Sequence, residues 1–198
     1  MLKQSFSIDN FITEQEISTL LKFYSTLPKT INSGRYKNAW TTGFPIESIP
    51  LKNFKARVEK VFGKCNVTVS MFLQEFKPWS VHTDWFKQDN KPYYAFLVPL
   101  EFGGKTTHTV VFNELGVDED WEEKLTTDKN YKYTKSELEL LSHDRPDRLR
   151  KVSVDKFYKW NMGELIAWHR KLLHCSDNFV VGGLEQKTAL VVFLNQDD

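Results

Sequence analysis

The chain has 198 residues, 40% of them apolar and 27% charged, with a formal net charge of +1. That length and balance fit one soluble globular domain with a core of its own. Near-neutral charge argues against nucleic acid or an anionic membrane as partner, and no apolar run approaches bilayer length.

The opening MLKQSFSIDNF lacks the apolar core of a signal peptide. Two cysteines, Cys65 and Cys175, are too few for a disulfide framework or a zinc cluster, and they fit a reducing compartment. The expected location is the cytoplasm. TEQEISTLLKFYSTL predicts a helix, with Ile17, Leu20, Leu21 and Tyr24 on one face. Thr13 and Glu16 form a capping box at its start, and Pro28 stops it. KTINSGRYKNAWTTGFP reads as a loop punctuated by Gly and Pro. LKNFKARVEKVFG reads as a second helix, with Phe54, Val58, Val61 and Phe62 together and Gly63 as its cap.

From residue 65 the period changes to that of strands. In NVTVSMFLQEF, Val67, Val69, Met71 and Leu73 alternate. PYYAFLVPLEF, THTVVFNEL, the start of GELIAWHRKLLH and KTALVVFLN supply further runs, separated mostly by Gly, Pro or Asn. The expected architecture is α+β, mainly β: residues 1–64 helical, and residues 65–198 a double-stranded β-helix (jelly roll) core. Between the third and fourth runs lies a polar insert at about 118–159, holding TKSELELLSHD as a short helix and the basic RPDRLRK. It reads either as a solvated excursion or as a lid over a site.

PWSVHTDWFK is the stretch with chemistry. His82 and Asp84, two apart on an extended segment, point to the same side. They form either a hydrogen-bonded pair at a strand end or half of a metal site, because imidazole nitrogen and carboxylate oxygen suit a divalent first-row metal. Alone, the triplet is a weak signal. His174, late in LIAWHRKLLHCSDNF, supplies a third donor, with His169 as its rival. Two histidines and one carboxylate on one face of a metal leave positions open for a co-substrate and O2, unlike a closed structural zinc site. Lys187 opens the last strand, where a buried ammonium needs an anion.

In this order and spacing, His82-x-Asp84, His174 and Lys187 resemble the Fe(II)- and 2-oxoglutarate-dependent dioxygenases over about residues 66–195. FLVPLEFGGKTTHTVVF and MGELIAWHRKLLH are similar to the family's runs before and into the distal histidine. A lysine as the basic residue and a helical N-terminal part resemble the prolyl 4-hydroxylase branch. The resemblance implies His82, Asp84 and His174 as Fe(II) ligands and Lys187 as partner of the far carboxylate of 2-oxoglutarate. It implies O2 as oxidant, ascorbate as an added reductant, and hydroxylation of a C–H bond with release of succinate and CO2. Related halogenases lack the carboxylate, so Asp84 favours hydroxylation. Phe72 and Phe76 stand where prolyl hydroxylases carry a co-substrate tyrosine, and Ala189 where the family often has Ser or Thr.

The expected substrate is a small molecule or a peptidyl residue; the second arginine of nucleic-acid demethylases is missing from KTALVVFLNQDD. Trp85 reads as substrate entrance or core; Arg35, Tyr36 and Trp40 read as substrate contacts or as a surface loop. His108 reads as a strand residue, His143 as solvated and Cys175 as a buried thiol. Two other functions remain open: a cupin-like metalloprotein with another metal and no 2-oxoglutarate, and a non-catalytic jelly-roll binding module.

Overall fold

The computed structural model describes residues 5–34, 37–85, 91–103, 105–116, 121–127 and 131–197. A short strand, β1 (Ser5–Ile8), precedes helix α1 (Glu14–Thr26). The capping box forms: the Thr13 hydroxyl accepts the Glu16 N–H, and the Glu16 carboxylate accepts the Thr13 N–H at 2.9 Å. Ile17, Leu20 and Tyr24 are the buried face of α1. Strands β2 (Lys29–Asn32) and β3 (Asn38–Thr41) follow, where the sequence reads as a loop. Four-residue strands are too short to display a period. What makes β3 a strand is its partner, through Asn38↔Glu75, Ala39↔Gln74 and Trp40↔Leu73. Helix α2 (Phe54–Phe62) ends at Gly63, whose φ of +78° favours glycine. Arg57 of α2 forks onto Glu16 at 2.6 and 3.1 Å, tying the two helices together.

The strands then run β4 (Cys65–Glu75), β5 (Pro92–Phe102) and β6 (His108–Leu115). Three short helices follow, α3 (Trp121–Lys124), α4 (Lys135–Leu140) and α5 (Pro146–Leu149). Strands β7 (Val154–Lys159), β8 (Leu165–His169), β9 (Leu172–Ser176) and β10 (Lys187–Gln196) complete the described chain. They form two antiparallel sheets, one in the order β1-β8-β5-β10-β4-β3-β2 and the other β7-β6-β9. The first 64 residues, read as helical, therefore supply three strands to the large sheet. GELIAWHRKLLH, read as the start of one strand, contains all of β8 and the first part of β9.

Packing is layered. Leu20, Phe54 and Val58 of the helices cover Phe72, Phe96 and Leu190 on one face of the large sheet. Leu97, Val111, Trp168 and Val191 fill the space between the sheets. This explains the unbroken apolar run of β5: a strand buried on both faces shows no alternation. Beyond the small sheet, Trp121, Leu141 and Leu149 pack with Val110, Phe112, Leu173 and Cys175. The polar insert keeps most of its described residues exposed or half-buried, yet it also lays a third apolar cluster on the small sheet and contributes β7 to it. Its apolar residues are too sparse to display a helical period over such short elements. Among the described residues, no helix is long and apolar enough to cross a membrane.

Candidate metal centre and its cavity

His174 lies within β9, and the segment carrying His82 runs beside it. The His82 N–H donates to the His174 carbonyl at 3.0 Å and the His174 N–H to the His82 carbonyl at 2.9 Å. That bridge sets the two imidazoles together, their ring centroids 4.3 Å apart. Asp84, two residues on, brings Oδ2 to 3.3 Å from His174 Nε2 and Oδ1 to 4.0 Å from His82 Nε2. The donor atoms of all three residues lie within 4.8 Å of one another. His169 is not among them. It ends β8, packs edge-on to Tyr94, and accepts the Lys171 N–H. His108 pairs with Asp177 at 2.8 Å. His143 corrects its sequence reading: it is half-buried, and its Nε2–H donates to the Trp79 carbonyl at 3.0 Å.

Neighbouring groups aim the donors. The Nδ1–H of His82 donates to the Ser80 carbonyl at 2.8 Å, and that of His174 to the Leu172 carbonyl at 3.1 Å. Both Nε2 lone pairs are thereby left for a ligand role. The Trp168 indole N–H donates to Asp84 Oδ2 at 3.0 Å, fixing the carboxylate. Arg170 grips the Asp84 carbonyl at 2.8 and 3.2 Å, and Asp144 of the insert accepts the Val81 N–H at 2.6 Å. Burial pushes the Cys175 thiol well above its usual range, so it stays protonated.

Burial, reinforced by the neighbouring His82, lowers the His174 pKa to about 4 despite the opposing pull of Asp84, so the ring is neutral at pH 7. Burial also lowers His143 and His169. As pH falls through the range from about 6.5 to about 4, the unfolded chain binds protons at His174 that the folded chain refuses. The contribution of His174 to the stability of the metal-free protein is therefore full above about 6.5 and is lost progressively below it. We expect the urea midpoint, measured with chelator present, to drop between pH 7.5 and about pH 5. An unchanged midpoint would contradict the burial of these rings.

Two imidazole nitrogens and a carboxylate oxygen fit an Fe(II)-type facial site. The cluster borders a cavity of about 1000 Å3. All six tryptophans of the chain, Trp40, Trp79, Trp85, Trp121, Trp160 and Trp168, line it. Of the residues expected to touch substrate, Trp85 and Trp40 are half-buried in its wall, and Lys171 Nζ sits 4.4 Å over the Trp85 ring. Arg35 and Tyr36 fall outside the described residues.

Lys187 lines the same cavity and is 1% exposed. Its Nζ sits 4.2 Å from the Trp160 ring centroid and 5.0 Å from that of Phe179. The anion facing it is the protein's own: Glu75 Oε2 lies 3.4 Å away and also accepts the Ser176 hydroxyl at 2.6 Å. Sequence reasoning missed Glu75, although Val67, Val69, Met71, Leu73 and Glu75 form one alternating series. It missed Asn38, Trp79, Trp121 and Arg148 as well, all in the cavity wall. Phe72 faces the helices rather than the cavity, and Ala189 packs between the sheets.

The sequence matches no protein-family model and no curated protein. Solved structures do resemble it. An oxidoreductase of the 2OG-Fe(II) oxygenase family from Burkholderia pseudomallei superposes with a TM-score of 0.60 at 11% identity, covering 97% of this chain and 85% of that one. The non-heme alpha-ketoglutarate-dependent epimerase SnoN of nogalamycin biosynthesis gives 0.60 at 12%, covering 96% and 76%. A viral collagen prolyl hydroxylase from Paramecium Bursaria Chlorella virus-1, in complex with 2OG, gives 0.52 at 15%, covering 98% and 97%. Identities this low speak to fold alone. The chain has the jelly-roll fold on which these 2-oxoglutarate-dependent oxygenases are built, with a His-Asp-His cluster on the wall of its open cavity.

Proposed function

We propose that this protein is a non-haem Fe(II)- and 2-oxoglutarate-dependent oxygenase, hydroxylating a C–H bond of a small molecule or a peptidyl residue with release of succinate and CO2. The observation that carries this reading is the convergence of His82, Asp84 and His174 within 4.8 Å, on the wall of a cavity that also holds a buried lysine. Iron bound there would supply O2 activation at the expense of 2-oxoglutarate. The chain's own contribution is geometric. Two carbonyl-anchored imidazoles and an indole-anchored carboxylate keep the donors aimed without metal. Lys187 supplies the cation for a dicarboxylate, and the tryptophan walls limit water. Asp84 completes the donor set, which favours hydroxyl over halide transfer. Trp40, Trp79 and Trp85 are half-buried there, which suits a substrate with broad apolar faces.

Anaerobic addition of Fe(II) and then 2-oxoglutarate should give a weak visible charge-transfer band, and O2 with ascorbate should then release succinate. Metal binding without any 2-oxoglutarate binding would favour the cupin-like alternative. Failure to bind either would leave a non-catalytic jelly-roll module.

A further inference from the structure

Three side chains stand in one row across the large sheet. Asn38 of β3 is the cross-strand partner of Glu75 of β4, and Glu75 is the partner of Lys187 of β10. Directly opposed residues share a face of the sheet, and all three line the cavity. All three are buried, at 1%, 8% and 1% exposure. Their chemistry is unequal. Lys187 and Glu75 form an ion pair at 3.4 Å, and Ser176 holds the carboxylate at 2.6 Å. Both polar atoms of the Asn38 carboxamide, Nδ2 and Oδ1, have no hydrogen-bond partner among the described residues. A buried carboxamide without partners is costly, and one on a cavity wall points to a ligand.

A lone buried ammonium would attract the far carboxylate of a 2-oxo dicarboxylate at once. Here the charge is already matched, so an incoming carboxylate meets Glu75 as well as Lys187, in a poorly screened interior. We propose that Glu75 is a built-in counter-ion for Lys187, and that 2-oxoglutarate binds by taking Lys187 from it, with Asn38 as the second donor to the ligand's far carboxylate. Glu75 is then a specificity-determining residue: it weakens every dicarboxylate and leaves 2-oxo acids without a distal charge untouched. The inference rests on the 2-oxoglutarate reading above.

The test uses metal-loaded protein under anaerobic conditions, read by titration of the charge-transfer band and by ligand-induced shift of the melting temperature. Glu75→Gln keeps the size of the side chain and an acceptor for Ser176 but removes the competing charge. It should bind 2-oxoglutarate about tenfold to a hundredfold more tightly than the native chain. Its melting temperature, lowered without ligand because Lys187 is unpaired, should rise further on adding 2-oxoglutarate than the native protein's does. With 2-oxobutyrate, which has no distal carboxylate, the two proteins should bind alike. Asn38→Ala should weaken 2-oxoglutarate binding about tenfold and leave metal content unchanged. Equal or weaker 2-oxoglutarate binding by Glu75→Gln overturns the proposal while leaving the oxygenase reading in place. So does the same tightening towards 2-oxobutyrate, or unchanged affinity in Asn38→Ala, which carries the test if Glu75→Gln does not fold. Metal held by both proteins with 2-oxoglutarate bound by neither overturns the oxygenase reading, and this inference with it.

Discussion

Replacing His174 by alanine is expected to abolish tight metal binding while the fold stands. The imidazole is 4% exposed and sits between the His82 and Trp168 rings, at 4.3 and 4.6 Å between centroids. Its backbone bridge to His82 uses main-chain atoms only and survives the change. Losing a mere orienting partner of a ligand costs about 10- to 100-fold in metal affinity, so losing a ligand should cost at least ~100-fold. The Trp168 indole still holds Asp84 in the variant, so the remaining pair stays in place but binds with two donors. Metal content after dialysis and the far-ultraviolet circular dichroism spectrum measure the two halves of the expectation. Full metal retention by a folded His174→Ala protein would remove His174 from the site and reopen the case for another donor.

The second large effect falls on stability. Lys187→Ala should destabilise the protein by about 3–5 kcal/mol, because it leaves Glu75 buried without its cation. The ion pair itself contributes little net stability, since desolvating both partners offsets their attraction. Breaking one side is what costs. A double variant, Lys187→Met with Glu75→Leu, should therefore recover most of the loss, as both charges leave together. The Ser176 hydroxyl then loses its acceptor, which keeps the recovery incomplete. Urea denaturation of the native, single and double variants measures this. A single-variant loss below about 1 kcal/mol would mean that the pair is not desolvated as its burial implies. Metal binding should remain nearly intact in Lys187→Ala, because the lysine is not one of the clustered donors.

The parts that could be read directly are those whose information is local. The Thr13 and Glu16 box, the face of Ile17, Leu20 and Tyr24, and the glycine closing α2 are all contained within a few residues. The long strands β4, β5, β6 and β10 were legible because branched and aromatic residues run together there. His82 and Asp84 could be paired from spacing alone, as residues two apart on extended chain face the same way. The short strands β1, β2, β3 and β7 were not legible, since four to six residues carry too little period and owe their state to a neighbour.

What the amino-acid order determined alone was therefore a mainly β chain with capped N-terminal helices, and a small set of side chains whose donor atoms suit a metal. Order and spacing favoured His174 over His169, and the tertiary structure supplied the reason that His174 faces Asp84: the β9 bridge to His82 selects one of two nearby rings. Only the tertiary structure decided that Lys187 meets Glu75. The two are 112 residues apart in sequence, and only the register of β10 on β4 makes them neighbours. Local pattern settles which way a side chain points along its own segment; pairing between distant strands settles which charge it meets there.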